Sequence, residues 1–337
     1  MPSRQVLLPA DDYLRLAGRL TALDHDIEPL LWAPDGVTLA DGTSVVDGAG
    51  NAASGATYAP EAAWVSISLL FSGSFPAFVE AALAPGTLRW TQACLAGTDA
   101  PPFQQLLAGG VQLSRSDAPN DATAEHTMSL VLHTLHGWEG RIDRRRAGVW
   151  LQEPWREVRG SRWLVIGFGS IGHKLAALAR PFGAVVVGAR RSVADAADLE
   201  AADAMVTMEA LADELPLADV VVLTCPLTDE TRGLVDAKFL ASVRDDAVLV
   251  NVARGSVIDA DALLAWLDGD RPATAVLDVF DIEPLPADSP LWNHPKVVMT
   301  THIGGAGSGM PSRNDDLFVS QLDSFLAGRT PRLLVEG

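Results

Sequence analysis

The sequence predicts an α/β protein of two domains, with parallel sheets covered by helices, and three observations carry that expectation. The chain has 337 residues, more than the ~100–200 of a usual single domain. From residue 63 onward, short apolar strand-like runs alternate with helix-like runs, the pattern of strand-helix-strand units. One of those units holds a glycine turn, Gly167-Phe168-Gly169-Ser170-Ile171-Gly172, between an apolar strand and a helix.

The elements follow in order. Residues 1–60 are rich in Asp, Gly, Ala and Pro, with weak periodicity and a loop or ribbon expected at 41–54. Trp64-Val65-Ser66-Ile67-Ser68-Leu69-Leu70 alternates as a strand does, and 75–83 reads as a helix. A second unit follows: a strand at 88–93, a loop at Leu95-Ala96-Gly97-Thr98-Asp99, a helix at 102–108 and a short strand at 111–114. Asn120-Asp121-Ala122-Thr123 can cap a long helix over 124–135, apolar at Met128, Leu130, Val131 and Leu132, read here as the crossover between domains. Trp163-Leu164-Val165-Ile166 is a strand that enters the glycine turn. A helix at 174–180 ends at Pro181-Phe182-Gly183, ahead of a strand at 184–187. Further strands are expected at 220–224, 247–252, 273–279 and 297–300.

Composition narrows the function. Apolar residues are 48% of the chain and charged residues 20%, which suits a packed protein rather than a disordered one. The net charge of −18 disfavours binding to nucleic acid or to anionic lipid. Two cysteines, Cys94 and Cys225, are too few for a disulfide framework, so reduced thiols are expected. The first residues lack the apolar stretch of a signal peptide and no run is long enough to span a bilayer, which points to the cytoplasm. No metal site is expected.

In the glycine turn, Gly167 permits the tight bend, Gly169 lets a pyrophosphate approach the backbone, and Gly172 lets helix pack closely on strand. Ser170 and Ile171 open the helix, whose N-terminus offers unpaired N–H groups and a positive dipole end. The cofactor type turns on the end of the next strand, where an acid would hold a ribose 2′-OH. Here the chain reads Gly188-Ala189-Arg190-Arg191-Ser192. Two guanidiniums and a hydroxyl with no carboxylate suit a 2′-phosphate, so NADP is expected, with NAD as the alternative.

Three later segments carry chemistry, and each begins near a predicted strand end: Asn251-Val252-Ala253-Arg254-Gly255-Ser256, Leu277-Asp278-Val279-Phe280-Asp281-Ile282-Glu283-Pro284, and Thr301-His302-Ile303-Gly304-Gly305. In an open α/β sheet those ends face the ligand crevice. Together with Cys225-Pro226-Leu227-Thr228 and the glycine turn, these segments closely resemble the D-2-hydroxyacid dehydrogenase (formate/glycerate dehydrogenase-like) family, in the family's order, from about residue 88 to the C-terminus. The resemblance implies two Rossmann-like domains with the active site in the interdomain cleft. It also implies a substrate domain of residues 1–117 and 308–337 and a dinucleotide-binding domain of 118–307.

It implies the chemistry as well. Reduction of a 2-keto acid places negative charge on the keto oxygen and requires a proton. His302 is the natural acid, since histidine titrates near neutrality. Glu283 matches the family's acidic partner, which would stabilise the imidazolium. Arg254 would clamp the substrate carboxylate and help polarise the carbonyl. By the same resemblance Cys225, Pro226 and Ala253 border the cofactor, Asp278 meets the nicotinamide carboxamide, and Ala96 and Gly97 add backbone donors to the substrate carboxylate. The sequence departs from the family at Thr301, where Pro is common, and at Arg190, where NAD-using members carry Asp.

The expected reaction is hydride transfer from NADPH to a small 2-keto acid such as glyoxylate or hydroxypyruvate. The alternatives are an NAD-dependent dehydrogenase of a larger 2-hydroxy acid and a cofactor-sensing binding protein of the same fold. A homodimer is expected, the apolar face of the helix at 124–135 being one candidate surface.

Overall fold

The structure, a computed structural model, describes residues 3–47, 51–52, 57–191 and 196–335. The chain forms two compact units, residues 1–119 with 308–337, and residues 120–307.

The first unit holds a seven-stranded sheet of β1 (Arg4–Pro9), β2 (Ile27–Ala33), β3 (Gly36–Leu39), β4 (Ser44–Asp47), β5 (Ala62–Val65), β6 (Trp90–Ala93) and β7 (Gln112–Ser114), in the order β4-β3-β2-β1-β5-β6-β7. Five strands run parallel, and β3 and β4 add an antiparallel ribbon at one edge. The period-2 alternation of a strand explains how β1 feeds two cores: Leu7 joins Val65, Phe78 and Phe103 on one face, while Val6 and Leu8 join Trp64, Trp90 and Phe318 on the other. The C-terminal helix Met310–Leu326 supplies Phe318, stacked on Trp64 at 4.9 Å, and Phe325, stacked on Trp90 at 5.4 Å. Its Asp315, fully buried, accepts a hydrogen bond from Arg15 Nε at 2.5 Å and holds that guanidinium protonated. These contacts explain why the last residues pack with the first.

The second unit holds seven parallel strands, β8 (Arg162–Ile166), β9 (Val185–Arg190), β10 (Ala204–Thr207), β11 (Val220–Leu223), β12 (Val248–Asn251), β13 (Thr274–Leu277) and β14 (Val297–Met299), in the order β10-β9-β8-β11-β12-β13-β14. The order in which strands are added reverses between β8 and β11, the switch point where doubly wound sheets bind ligands. β11 and β12 are buried along their whole length, as strands covered by helices on both faces must be.

Several expectations change. The alternating run at 64–70 is a strand only to Val65, after which Ile67–Phe71 is a short helix. The Ser-Ile-Ser pattern fits either state, and β5 finds its partners on β1 and β6 no further than Ala63 and Val65. The helix expected from residue 124 begins at Asn120, whose Oδ1 is buried without a hydrogen-bond partner and so caps nothing. Its apolar face, Ala124, Met128, Val131 and Leu135, is buried against Val165, Leu175 and Ala179 of the same unit, which removes it as a dimer surface. β10 was not anticipated: an edge strand with no buried residue carries little apolar signal. Among the described residues no helix is long and apolar enough to cross a membrane.

Candidate active site

The glycine turn joins β8 to the helix Ser170–Ala179. Gly167 has φ +88°, and a Cβ there would lie 2.3 Å from Cys225 Cα, so any other residue would be strained and would clash with the end of β11. The Thr224 hydroxyl donates to the Gly167 carbonyl at 2.9 Å, tying the two strand ends together. Gly172 packs against Phe168 and Val165 with no room to spare, a Cβ falling 3.0 Å from Phe168. At Gly169 a Cβ would meet nothing nearer than 3.8 Å. The helix beginning at Ser170 and Ile171 has no side-chain cap. An open approach over Gly169 and uncapped N–H groups fit the diphosphate of a dinucleotide.

Next to the turn, burial pushes the Cys225 thiol up to about 11. Cys225 is 5% exposed at the strand end, while Pro226 is exposed.

Arg190 ends β9, yet its guanidinium is already engaged: Nη1 donates to Asp198 Oδ2. Asp198 is 1% exposed and its other oxygen lies 2.7 Å from His173 Nε2. Arg191 is largely exposed and pairs with Glu230 at 2.9 Å. Ser192 lies outside the described residues. Sequence reasoning missed Asp198 and treated His173 as ordinary, because periodicity does not reveal which side chains pair across separate elements.

The other candidates stand on adjacent strands. Asn251 of β12 pairs with Leu277 of β13, and Leu277 pairs with Met299 of β14. Arg254, Asp278 with Glu283, and His302 each follow one of these three ends, and neighbouring strands lie about 4.8 Å apart. Asn251 shapes the first loop, its side chain bridging Ala253 N–H and Arg254 C=O at 3.0 Å each. Ala253 is buried, and Arg254 Nη1 donates to the Ala253 carbonyl at 2.8 Å.

His302 Nδ1 lies 2.6 Å from Glu283 Oε2, and the other Glu283 oxygen accepts the Phe280 N–H at 2.9 Å. The imidazole is about half exposed and Glu283 about one-third. His302 has φ +56°, a left-handed conformation that residues with a Cβ rarely adopt.

Asp278, expected to meet the nicotinamide carboxamide, also has an intramolecular role. It is 3% exposed, and both oxygens are turned onto the loop that carries His302. Oδ1 accepts from Thr300 Oγ1 at 2.5 Å and Ile303 N–H at 2.9 Å, and Oδ2 accepts from Gly304 N–H at 2.9 Å. His126, from the helix Asn120–Leu135, reaches Thr300, and neither was singled out from sequence. Ala96 and Gly97 belong to the first unit, in the loop after β6, with Ala96 exposed.

Comparison with known proteins accords with this geometry. Residues 128–304 match the family described as D-isomer specific 2-hydroxyacid dehydrogenase, NAD binding domain. The glyoxylate reductase of Thermococcus kodakarensis is 33% identical over 228 residues, covering 65% of this chain and 67% of that protein. A D-isomer specific 2-hydroxyacid dehydrogenase family protein from Aeromonas salmonicida superposes with a TM-score of 0.76 at 26% identity, over 99% of both chains. The Xanthobacter autotrophicus enzyme of that family, solved with NADPH and MES, gives 0.74 at 26% identity, over 99% of this chain and 98% of that one. With the switch-point sheet, the glycine turn and the strand-end residues in place, this chain belongs to the D-isomer specific 2-hydroxyacid dehydrogenase family, NAD(P)-dependent enzymes that interconvert 2-keto and 2-hydroxy acids.

Proposed function

We propose that the chain reduces a small 2-keto acid of the glyoxylate or hydroxypyruvate kind with NADPH, and that His302, Glu283 and Arg254 carry the reaction. The observation that supports this most directly is the His302–Glu283 pair at 2.6 Å, at the ligand-facing end of a switch-point sheet. The nicotinamide, when bound, supplies the hydride. Glu283 engages Nδ1, which leaves Nε2 as the atom that delivers the proton, and its negative charge favours the imidazolium that must form. Arg254 binds the substrate carboxylate through charge-assisted hydrogen bonds. Gly167, Gly169, Ser170, Ile171 and Gly172 hold the diphosphate, and Arg190 and Arg191 face the 2′-phosphate. The NADPH complex of the Xanthobacter relative and the activity named for the Thermococcus relative support the choice of cofactor and substrate.

The same reading takes the enzyme as a cytoplasmic homodimer. Both thiols are free and buried, as suits a reducing compartment. For the dimer, Val149, Trp150, Leu151 and Trp155, with Trp138 nearby, are exposed on one stretch, Trp150 at 92%. Such a cluster marks an interaction surface. Light scattering should give twice the chain mass and Trp150→Asp should halve it; a monomeric parent protein would end the dimer reading.

The deciding assay is a panel of 2-keto acids with NADPH and NADH, followed by absorbance. Glyoxylate and hydroxypyruvate with NADPH should be the best pairs; a preference for NADH or for branched substrates would refute those parts. His302→Ala should lower kcat by roughly 10² to 10⁴ with little change in NADPH affinity. Unaltered turnover would remove His302 from the mechanism.

A further inference from the structure

His126 lies outside every motif of the glycine turn and the strand ends, yet its ring reaches the loop that carries His302. Its Nε2 is 3.0 Å from Thr300 Oγ1, which is itself 2.5 Å from Asp278 Oδ1. The direction of each hydrogen bond follows from the donors available. Thr300 has one hydroxyl hydrogen, and a carboxylate only accepts. That hydrogen goes to Asp278, so the Thr300 oxygen accepts from His126, whose proton sits on Nε2.

Asp278 passes this order to the loop. Its carboxylate accepts the N–H groups of Ile303 and Gly304 at 2.9 Å each, and its main-chain carbonyl accepts the His302 N–H at 2.7 Å. Three consecutive peptides are therefore gripped from one residue, and His302 is the left-handed one among them. The fit is close: a Cβ on Gly304 would fall 2.8 Å from Asp278 Oδ2 and 3.5 Å from His126 Cδ2. The arrangement is preorganised by packing, since Asp278 is 3% exposed and the His126 side chain 20%.

We infer that His126 and Thr300 are positioning residues for the reaction: through Asp278 they hold the backbone of His302 in the left-handed conformation that sets its ring against Glu283. This rests on the reading of His302 as proton donor. Neither residue touches the reacting atoms in this role. Their effect lies in proton delivery rather than in cofactor binding.

The test uses the full-length enzyme with glyoxylate and NADPH, and the variants His126→Ala, His126→Gln, Thr300→Val, Thr300→Ser and His302→Ala. His126→Ala and Thr300→Val should lower kcat about tenfold, with the NADPH dissociation constant within about twofold and Tm little changed. Thr300→Ser restores the hydroxyl and His126→Gln restores an N–H donor, so both should recover most of the loss. Unchanged kcat in His126→Ala and Thr300→Val would overturn the inference. So would losses that follow Tm alone and are not recovered by Ser or Gln. If His302→Ala keeps its turnover, the proton-donor reading fails first; if only His302→Ala is inactive, the positioning role alone fails.

Discussion

Arg190, proposed to face the cofactor's 2′-phosphate, is also engaged within the fold. Asp198 is buried and accepts from Arg190 and from His173, so removing Arg190 would take the guanidinium's charge away from a desolvated carboxylate. The Arg190 side chain is about one-third exposed, which screens part of the attraction. Arg190→Ala should therefore lose about 1–2 kcal/mol in urea unfolding and raise the KM for NADPH. Adding Asp198→Asn should return the stability but not the cofactor affinity. A double variant no more stable than the single one would show that the buried acid is not the cause. Arg191, paired with Glu230 on the surface, should contribute almost nothing to stability.

At the scale of elements, the three loops after β12, β13 and β14 are built against one another. Gly255 has no space for a side chain: a Cβ would stand 1.8 Å from the Phe280 carbonyl carbon and 2.2 Å from Asp281 N. The loop of Arg254 thus lies directly on the segment whose Phe280 N–H holds Glu283, and the Ser256 hydroxyl donates to Asp281 across the same contact. Gly255→Ala is expected to push that segment aside, lowering kcat at least about tenfold, since small misplacements of reacting groups are expensive. Steady-state kinetics beside thermal unfolding would check it, and near-normal kcat would mean that the two loops are not coupled. The loop after β14 is likewise fixed by Asp278, which accepts the Ile303 and Gly304 N–H groups.

For the whole molecule, two buried thiols set a limit at alkaline pH. Burial raises Cys225 from 9.0 to about 11 and Cys94 from 9.0 to about 12. The folded chain keeps these protons where the unfolded chain releases them, so stability is complete below pH 9 and falls as pH rises towards the folded values. The loss at pH 11 should be about 2 kcal/mol for each thiol. Urea unfolding at pH 8 and pH 10.5 should show it, with Cys225→Ala losing less stability between the two than the parent. An equal loss in both would assign the alkaline sensitivity to other groups. The net charge of −18 acts in the same direction, since self-repulsion grows as further groups lose protons.

Much of the second unit was readable from the sequence because its signals are local. A buried parallel strand is an apolar run, as at Val220–Leu223 and at residues 248–250, and a glycine turn between strand and helix has few uses. Arg254, Glu283 and His302 could be named because their motifs resemble the family's, each following a predicted strand end. Residues 1–60 were opaque, since β1 and β2 owe their place to partners such as Trp64 and Phe318 that lie far along the chain. Likewise, only the tertiary structure turned Asp278 onto the His302 loop, brought His126 to Thr300, paired Arg190 with Asp198 and buried the apolar face of Asn120–Leu135. The physical reason is common to all four: a side chain's hydrogen-bond partner or covering surface depends on three-dimensional packing, and periodicity along the chain encodes which face is buried but not what it meets.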